Sequence, residues 1–193
     1  SEAVTQCERW QAIGHAWGVA INVSVRNLLD AELVAIVGSA LGKSSIAPSD
    51  LTIEITETHV MSDSVRTTHV LEELASLGIR LSIDDFGTGY SSLAYLQRLP
   101  VDEVKIDKSF VRALAVEGGA DAIVRSVLDL ARNLDLWVVA EGVEDGATAA
   151  RLRTLGCDEA QGYHFAQPMS AEAIETFAHD LAAAGADSLV GTR

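Results

Sequence analysis

The sequence has little positive charge. Its 193 residues include 14 Lys and Arg against 28 Asp and Glu, which gives a formal net charge of -14 at pH 7. A protein that binds a nucleic-acid backbone regardless of sequence does so through clustered cations. We therefore expect neither DNA nor RNA polymers as partners, and a phosphate-bearing substrate would require metal ions or a few well-placed cations.

Cysteines and long apolar runs are also scarce. Cys7 and Cys157 lie far apart, and no metal-ligand or redox spacing connects them. No apolar run approaches the length of a membrane span, and the first residues lack the pattern of a signal peptide. These absences favour a protein of the reducing cytoplasm, with no membrane contact from this segment.

The histidines show no ligand spacing such as a pair at i and i+4, which argues against a histidine-bound metal. The three tryptophans are assigned to packing rather than to a stacking platform. The histidines to which we assign no metal role are His15, His59, His69, His164 and His179.

The sequence does contain enough apolar residues for one well-filled core. Hydrophobic residues make up 48% of the chain, and no low-complexity linker divides it. We predict one domain over residues 1–184 and a C-terminal tail over residues 185–193. Because a helical pattern follows Ser1 at once, we expect the sequence to begin inside a larger domain.

Six strand patterns alternate with helical patterns, and no tight hairpin signal lies between them. This alternation indicates right-handed crossovers and a parallel sheet. In the helix predicted over residues 120–133, Ile123 and Val127, followed by Leu134, form the expected buried stripe. The predicted strands cover residues 19–24, 51–57, 79–84, 101–107, 136–141 and 159–163, and the helices cover residues 2–13, 27–41, 63–77, 91–98, 120–133, 145–155 and 170–184.

The sheet could be an open doubly wound sheet or a barrel. Polar residues alternate with apolar ones on several strands, and reactive residues end the strands, which favours an α/β fold of the (β/α)8 TIM-like type. Such a barrel needs eight strands and about 250 residues, so we expect a modified barrel missing about the first two strands. The unpaired edges of strands 19–24 and 159–163 would then favour dimerisation.

The most informative stretch is 81–90, in which two adjacent carboxylates end an apolar strand. Alternation with Leu81 and Ile83 sends Asp84 to the opposite face, and Asp85 begins the loop. Neighbouring carboxylates beside a buried strand repel each other unless a cation or strong donors hold them. The pair therefore predicts a divalent metal.

Further polar residues fall near the carboxyl ends of the other strands. Asn22, Glu54 and Asp84 offer the oxygen ligands that Mg²⁺ or Mn²⁺ takes, and Asp85 with Glu141 could serve a second ion. Two ions clamp a phosphoryl centre and generate hydroxide, so the pattern points to hydrolysis of a phosphodiester. Lys105 could stabilise charge on the phosphate or hold a carboxylate that activates water. The remaining candidates at this edge are Asp107 and Gln161.

Each candidate also has a purely structural interpretation. Asn22 and Gln161 could be satisfied hydrogen-bonding groups, and Lys105 could pair internally with Asp107. The acidic residues could cap helices, form turns or lie on a solvated strand face: Glu54, Glu57, Asp84, Asp85 and Glu141. The common location at one end of successive strands favours the functional interpretation.

Several motifs together resemble the EAL domain, a bacterial phosphodiesterase family that acts on cyclic di-GMP. The resemblance covers about residues 1 to 184 and implies a modified (β/α)8 barrel that cleaves cyclic di-GMP to linear pGpG with a metal. Its motifs are Asn22-Val-Ser24, Glu54-Ile-Thr-Glu57, Asp84-Asp-Phe-Gly-Thr-Gly-Tyr-Ser-Ser92, Leu99-Pro, Val104-Lys-Ile-Asp-Lys-Ser-Phe110, Ala140-Glu-Gly-Val-Glu144 and Gln161-Gly-Tyr-His-Phe165.

The resemblance also implies catalytic roles for Lys105, Glu141 and Asp85, with Lys105 acting on the catalytic water. It implies Mg²⁺ or Mn²⁺ as cofactor, inhibition by Ca²⁺, a homodimer, and a possible upstream sensor or cyclase domain. The other roles are first-metal ligands at Asn22, Glu54 and Asp84, second-metal positions at Asp85 and Glu141, a loop anchor at Glu57 for the mobile loop 86–93, and supporting positions at Asp107, Glu144 and Gln161.

The Glu-Ala-Leu motif that names the family does not occur in these 193 residues. We therefore expect one metal-ligating Glu and a nearby substrate-binding Arg to be absent, and the activity of this chain to be impaired. The alternatives are a catalytically inactive cyclic di-GMP receptor or protein-interaction module and an open-sheet phosphotransferase.

Overall fold

Six parallel strands form one sheet in the order in which they occur in the sequence, and the sheet curls into a half-barrel. This arrangement appears in a computed structural model that describes residues 2–62, 64–89, 93–114 and 121–183. The predicted α/β fold with six strands is confirmed. The strands are β1 (Val19–Asn22), β2 (Leu51–Thr56), β3 (Arg80–Phe86), β4 (Glu103–Ile106), β5 (Trp137–Ala140) and β6 (Glu159–Ala160).

Helices connect the strands, as parallel pairing requires. Among the described residues, no helix is both long and apolar enough to cross a lipid bilayer. The helices are α1 (Glu2–Ala12), α2 (Val25–Leu28), α3 (Leu33–Gly42), α4 (Glu57–Ser62), α5 (Ser64–Ser76), α6 (Leu93–Leu96), α7 (Lys108–Ala113), α8 (Asp121–Asn133), α9 (Gly146–Leu155) and α10 (Ala171–Ala183), and a 3-10 turn covers Pro48–Asp50.

The helix predicted over residues 27–41 is wrong, because two helices occupy this region. The Ser24 side chain accepts a hydrogen bond from the Asn27 amide and starts α2 early. The carboxylate of Asp30 then accepts from the Glu32 amide at 3.0 Å. Such an Asx turn competes with helical hydrogen bonding, so the chain bends before α3 begins.

Three further elements differ from the prediction. Helix α4 was not predicted, and it begins at Glu57, which the predicted strand 51–57 included. Helix α7 was not predicted, and it begins directly after β4 because the Asp107 side chain accepts from the Ser109 amide as an N-cap. Strand β6 has two residues instead of the predicted five. It ends early because the chain turns back after Gly162, where the Phe165 amide donates to the Gly162 carbonyl.

The core lies between the sheet and the helices packed on it. Its strand residues include Ile53, Ile55, Leu81 and Ile106, which are almost completely buried. Helices α5, α8 and α9 cover them with the buried side chains Leu71, Leu74, Val124, Leu128 and Leu152. The stripe on α8 is Val124, Val127, Leu128 and Ala131, so the predicted burial of Ile123, which is 45% exposed, is wrong.

Two carboxylates hold the amino ends of the strands in place. Asp102 accepts a hydrogen bond from the Leu81 amide at 2.8 Å, and Asp158 accepts from the Val138 amide at 2.9 Å. Each carboxylate therefore satisfies a backbone donor on the neighbouring strand where the regular ladder begins. This end of the sheet is occupied by structural contacts, which leaves the opposite, carboxyl end for chemistry.

Truncation of Leu128 should test the packing of α8. Leu128→Ala removes a side chain that is 1% exposed, and we expect it to lower the free energy of unfolding by about 2–5 kcal/mol. Ile123→Ala on the same helix is the control and should cost less than about 1 kcal/mol. Chemical denaturation measures both values, and equal losses would contradict the burial pattern.

Candidate metal centre

Lys105 lies at the centre of the carboxyl end of the sheet, with its side chain 6% exposed. Its Nζ atom is 2.6 Å from Glu141 Oε1, 3.0 Å from Glu54 Oε1 and 3.4 Å from Asp84 Oδ1. A buried ammonium is tolerated only when it is paired and hydrogen-bonded, and this one has partners on three strand ends. Lys105 therefore ties together β2, β3 and the residue that follows β5.

The carboxylates keep Lys105 charged. Burial alone would lower the pKa of Lys105, but the hydrogen bond to Glu141 and the charges of Glu54 and Asp84 outweigh it and raise that pKa above its usual range. Burial also raises the pKa of Glu141, and the charges of Asp84 and Glu54 add to the effect against the opposing influence of Lys105. The centre thus holds more negative than positive charge.

An irregularity in β3 brings Asp84 and Asp85 to the same edge. The pairing between β3 and β4 shifts register between Ile83 and Phe86, and Asp85 has a φ of 55°. In a regular strand these two side chains would point to opposite faces, whereas a bulge re-aims one of them. The strand extends to Phe86, so the prediction that Asp85 begins the loop is wrong.

Asp84, Asp85 and Glu141 form a group that could hold a metal ion. One oxygen from each lies within 4.8 Å of the others, and all three side chains are partly exposed. Burial, followed by the charges of Asp84 and Asp107, raises the pKa of Asp85. Oxygen donors under mutual repulsion are the set that a hard divalent cation takes and stabilises, so these residues fit such an ion.

Asn22 and Glu54 join the same network from the first two strands. Asn22 Nδ2 donates to Glu54 Oε2 at 3.0 Å, while the other oxygen of Glu54 faces Lys105. The register pairs these residues directly, since Asn22 on β1 lies opposite Glu54 on β2. The structure therefore brings together the residues predicted for the first metal, and their role as ligands stays a prediction.

Gln161 and Asp107 support the centre from its sides. Gln161 Nε2 donates to Glu141 Oε1 at 2.6 Å, so this oxygen accepts from both Gln161 and Lys105. Asp107 caps α7, and although burial acts against it, hydrogen bonds from Ser109 lower the pKa of Asp107. The ion pairs of Lys105 are with Glu54, Asp84 and Glu141, so the suggested pairing with Asp107 is wrong.

Glu57 contacts the loop that follows β3. It is 1% exposed, and its Oε2 atom accepts from the Gly87 amide at 2.7 Å and the Gly89 amide at 3.3 Å. A Cβ atom on Gly89 would lie 2.7 Å from Glu57 Oε1, so a larger residue there would displace the Glu57 carboxylate. Within the predicted loop 86–93, residues 90–92 lie outside the described residues.

The structure does not bring Glu144 into the centre. Glu144 instead pairs with Arg112 at 2.5 Å, and both side chains are more than half exposed. Sequence reasoning missed Glu103, which is buried and accepts from the Ser82 hydroxyl at 2.8 Å. Glu103 precedes Lys105 by two residues, and this alternation could have placed it on the same face of β4.

Known proteins resemble the chain along most of its length. The family model described as EAL domain matches residues 1–168. The bifunctional diguanylate cyclase/cyclic di-GMP phosphodiesterase MucR of Pseudomonas aeruginosa is 45% identical over 174 residues, 90% of this chain and 25% of MucR. The cyclic di-GMP phosphodiesterase NbdA of the same species is 44% identical over 159 residues, 82% of this chain and 20% of NbdA. The chain thus spans between a fifth and a quarter of the length of these relatives.

Solved structures share the fold. The MucR phosphodiesterase in complex with c-di-GMP superimposes with a TM-score of 0.86 at 45% identity, over 90% of this chain and 70% of that one. The EAL domain of Mycobacterium smegmatis DcpA gives a TM-score of 0.87 at 37% identity, over 93% of this chain and 81% of that one. The chain therefore shares the fold of the larger part of these experimentally solved structures.

Removal of the Glu57 carboxylate should release the start of the loop. Glu57→Ala removes the acceptor of the Gly87 and Gly89 amides. Because these amides lose their hydrogen bonds, we expect their hydrogen exchange to accelerate by about tenfold or more. Glu73→Ala, at a half-exposed position on α5, is the control and should leave both amides unchanged. NMR measures the hydrogen-exchange rates of the two amides. Equal rates in the Glu57→Ala and Glu73→Ala variants would contradict the contact between Glu57 and the loop.

Proposed function

The chain belongs to the EAL domain family, and from this premise we propose that its metal centre hydrolyses cyclic di-GMP to linear pGpG with Mg²⁺ or Mn²⁺. The observation that supports this most is the convergence of Asp84, Asp85 and Glu141 beside Lys105. Two relatives named as cyclic di-GMP phosphodiesterases are 45% and 44% identical to the chain. Metal-assisted cleavage of a phosphodiester is the reaction that such a donor set suits best.

In this proposal, Asp84, Asp85 and Glu141 would hold one divalent ion, and Asn22 and Glu54 with Asp84 would hold another. When bound, the ions supply Lewis acidity and a water of lowered pKa. The protein contributes the fixed position of each oxygen. Gln161 and Lys105 both donate to Glu141 Oε1, so this carboxylate is oriented to take the proton of the attacking water.

Lys105 acts as a charge and not as a base. Its raised pKa keeps the ammonium protonated at neutral pH, so it has no capacity to accept a proton there. A fixed ammonium in a poorly solvated position stabilises negative charge that develops on the phosphate. Its three carboxylate partners hold it at the edge of the sheet where that charge would form.

The level of activity follows from the motifs present. Because the Glu-Ala-Leu run does not occur in these residues, we propose that the chain alone hydrolyses cyclic di-GMP more slowly than a longer polypeptide that contains the motif. Side-by-side turnover of the two polypeptides tests this. A domain boundary at residue 184, a homodimer and a cytoplasmic location also stay predictions.

Substitution of Glu54 should strongly slow hydrolysis. Glu54→Gln keeps the shape of the side chain but removes the charge that faces Lys105, and we expect kcat/KM with Mn²⁺ to fall by about a hundredfold or more. Glu72→Gln, at an exposed position on α5, is the matched control and should retain the wild-type value. Product analysis by chromatography measures both, and an active Glu54→Gln variant would refute the assignment.

A second candidate function is a receptor that binds cyclic di-GMP without cleaving it. The ion pairs of Lys105 favour it, because an internal cation already neutralises part of the carboxylate charge. Ca²⁺ separates the two functions, since it occupies oxygen sites with longer, more flexible geometry than Mg²⁺. For the enzyme we expect calorimetric binding of cyclic di-GMP with Ca²⁺ and no turnover, and turnover when Mn²⁺ replaces it. Binding without turnover in Mn²⁺ would identify a receptor.

A further inference from the structure

Lys105 and the proposed metal site use the same carboxylates. The ammonium is 2.6 Å from Glu141 and 3.4 Å from Asp84, and both residues belong to the group that could hold an ion with Asp85. Two of the three carboxylates at this site are therefore already partners of an internal cation.

The ammonium has little freedom to move away. Lys105 is central on β4, between β3 and β5, and its side chain is 6% exposed. Because the oxygens of Asp84, Asp85 and Glu141 lie within 4.8 Å of one another, an ion among them would share a small volume with Nζ. Like charges repel strongly at such distances where solvent screening is weak.

We propose that Lys105 is a built-in competitor that limits the affinity of this centre for divalent cations. Its ammonium stabilises Asp84 and Glu141 as their partner, and an entering cation must take over these contacts. This inference rests on the proposed metal site. It adds a second role for Lys105, which sets how tightly the ion is held.

A different role for Lys105 would change the affinity for a cation in the opposite direction. Lys105 could preorganise the carboxylates, because it holds Glu54, Asp84 and Glu141 together against their mutual repulsion. Removal of the ammonium would then weaken the binding of a cation. Competition predicts that the same removal tightens it, so the direction of one affinity change distinguishes the two effects.

The test is calorimetric titration of Mn²⁺ into chelator-treated protein. Lys105→Met keeps an unbranched side chain of similar length without the charge, and we expect it to bind Mn²⁺ at least about tenfold more tightly than the wild type. Lys105→Arg keeps the charge and should stay near the wild-type affinity. Lys108→Met is the matched control, because it removes the same charge from an exposed position three residues away, and it should also match the wild type.

A thermal shift provides a second readout if Lys105→Met is unstable in chelator. With no ammonium among the carboxylates, this variant should gain more in Tm from Mn²⁺ than the wild type does. A Mn²⁺ affinity and a Tm gain equal to or below the wild-type values would overturn the inference while leaving the phosphodiesterase proposal intact. Failure of both proteins to bind Mn²⁺ would refute the metal site, and the inference with it.

Discussion

Mutual repulsion among carboxylates at the carboxyl end of the sheet is the constraint on which the centre depends. Parallel pairing in sequence order places the ends of neighbouring strands side by side, and Glu54, Asp84 and Glu141 meet there. Such a group is stable only with positive charge among its members. Lys105 supplies one charge from β4, and the remaining negative charge accounts for the affinity that we propose for divalent ions.

The loop after β3 is connected to this centre through the backbone. Asp85 has a positive φ, and two residues later the Gly87 amide donates to Glu57. Glu57 in turn begins α4 directly after β2, the strand that carries Glu54. A change in the loop therefore has a short covalent path to residues on both sides of the candidate metal centre.

Alternation of strands and helices, together with strand-end polarity, was sufficient to predict six parallel strands and the residues that surround Lys105. Those signals are local and periodic. Parallel topology places the carboxyl ends of neighbouring strands side by side, so residues at these ends lie close together. The re-aiming of Asp85 was not predictable, because a register shift depends on how β3 pairs with β4. The exposed position of Ile123 was predictable, because Val124, Val127, Leu128 and Ala131 follow the i, i+3, i+4, i+7 spacing of a buried helix face. The pairing of Glu144 with Arg112 depends on tertiary packing, and no spacing in the sequence encodes it.

We propose that the carboxylates around Lys105 form a metal centre. Anomalous X-ray diffraction from crystals grown with Mn²⁺ tests it most directly, because the signal locates the ion without reference to activity. We expect an anomalous peak in contact with carboxylate oxygens of Asp84, Asp85 and Glu141. A protein that shows no peak there, or peaks only at exposed carboxylates such as Asp129, would contradict it.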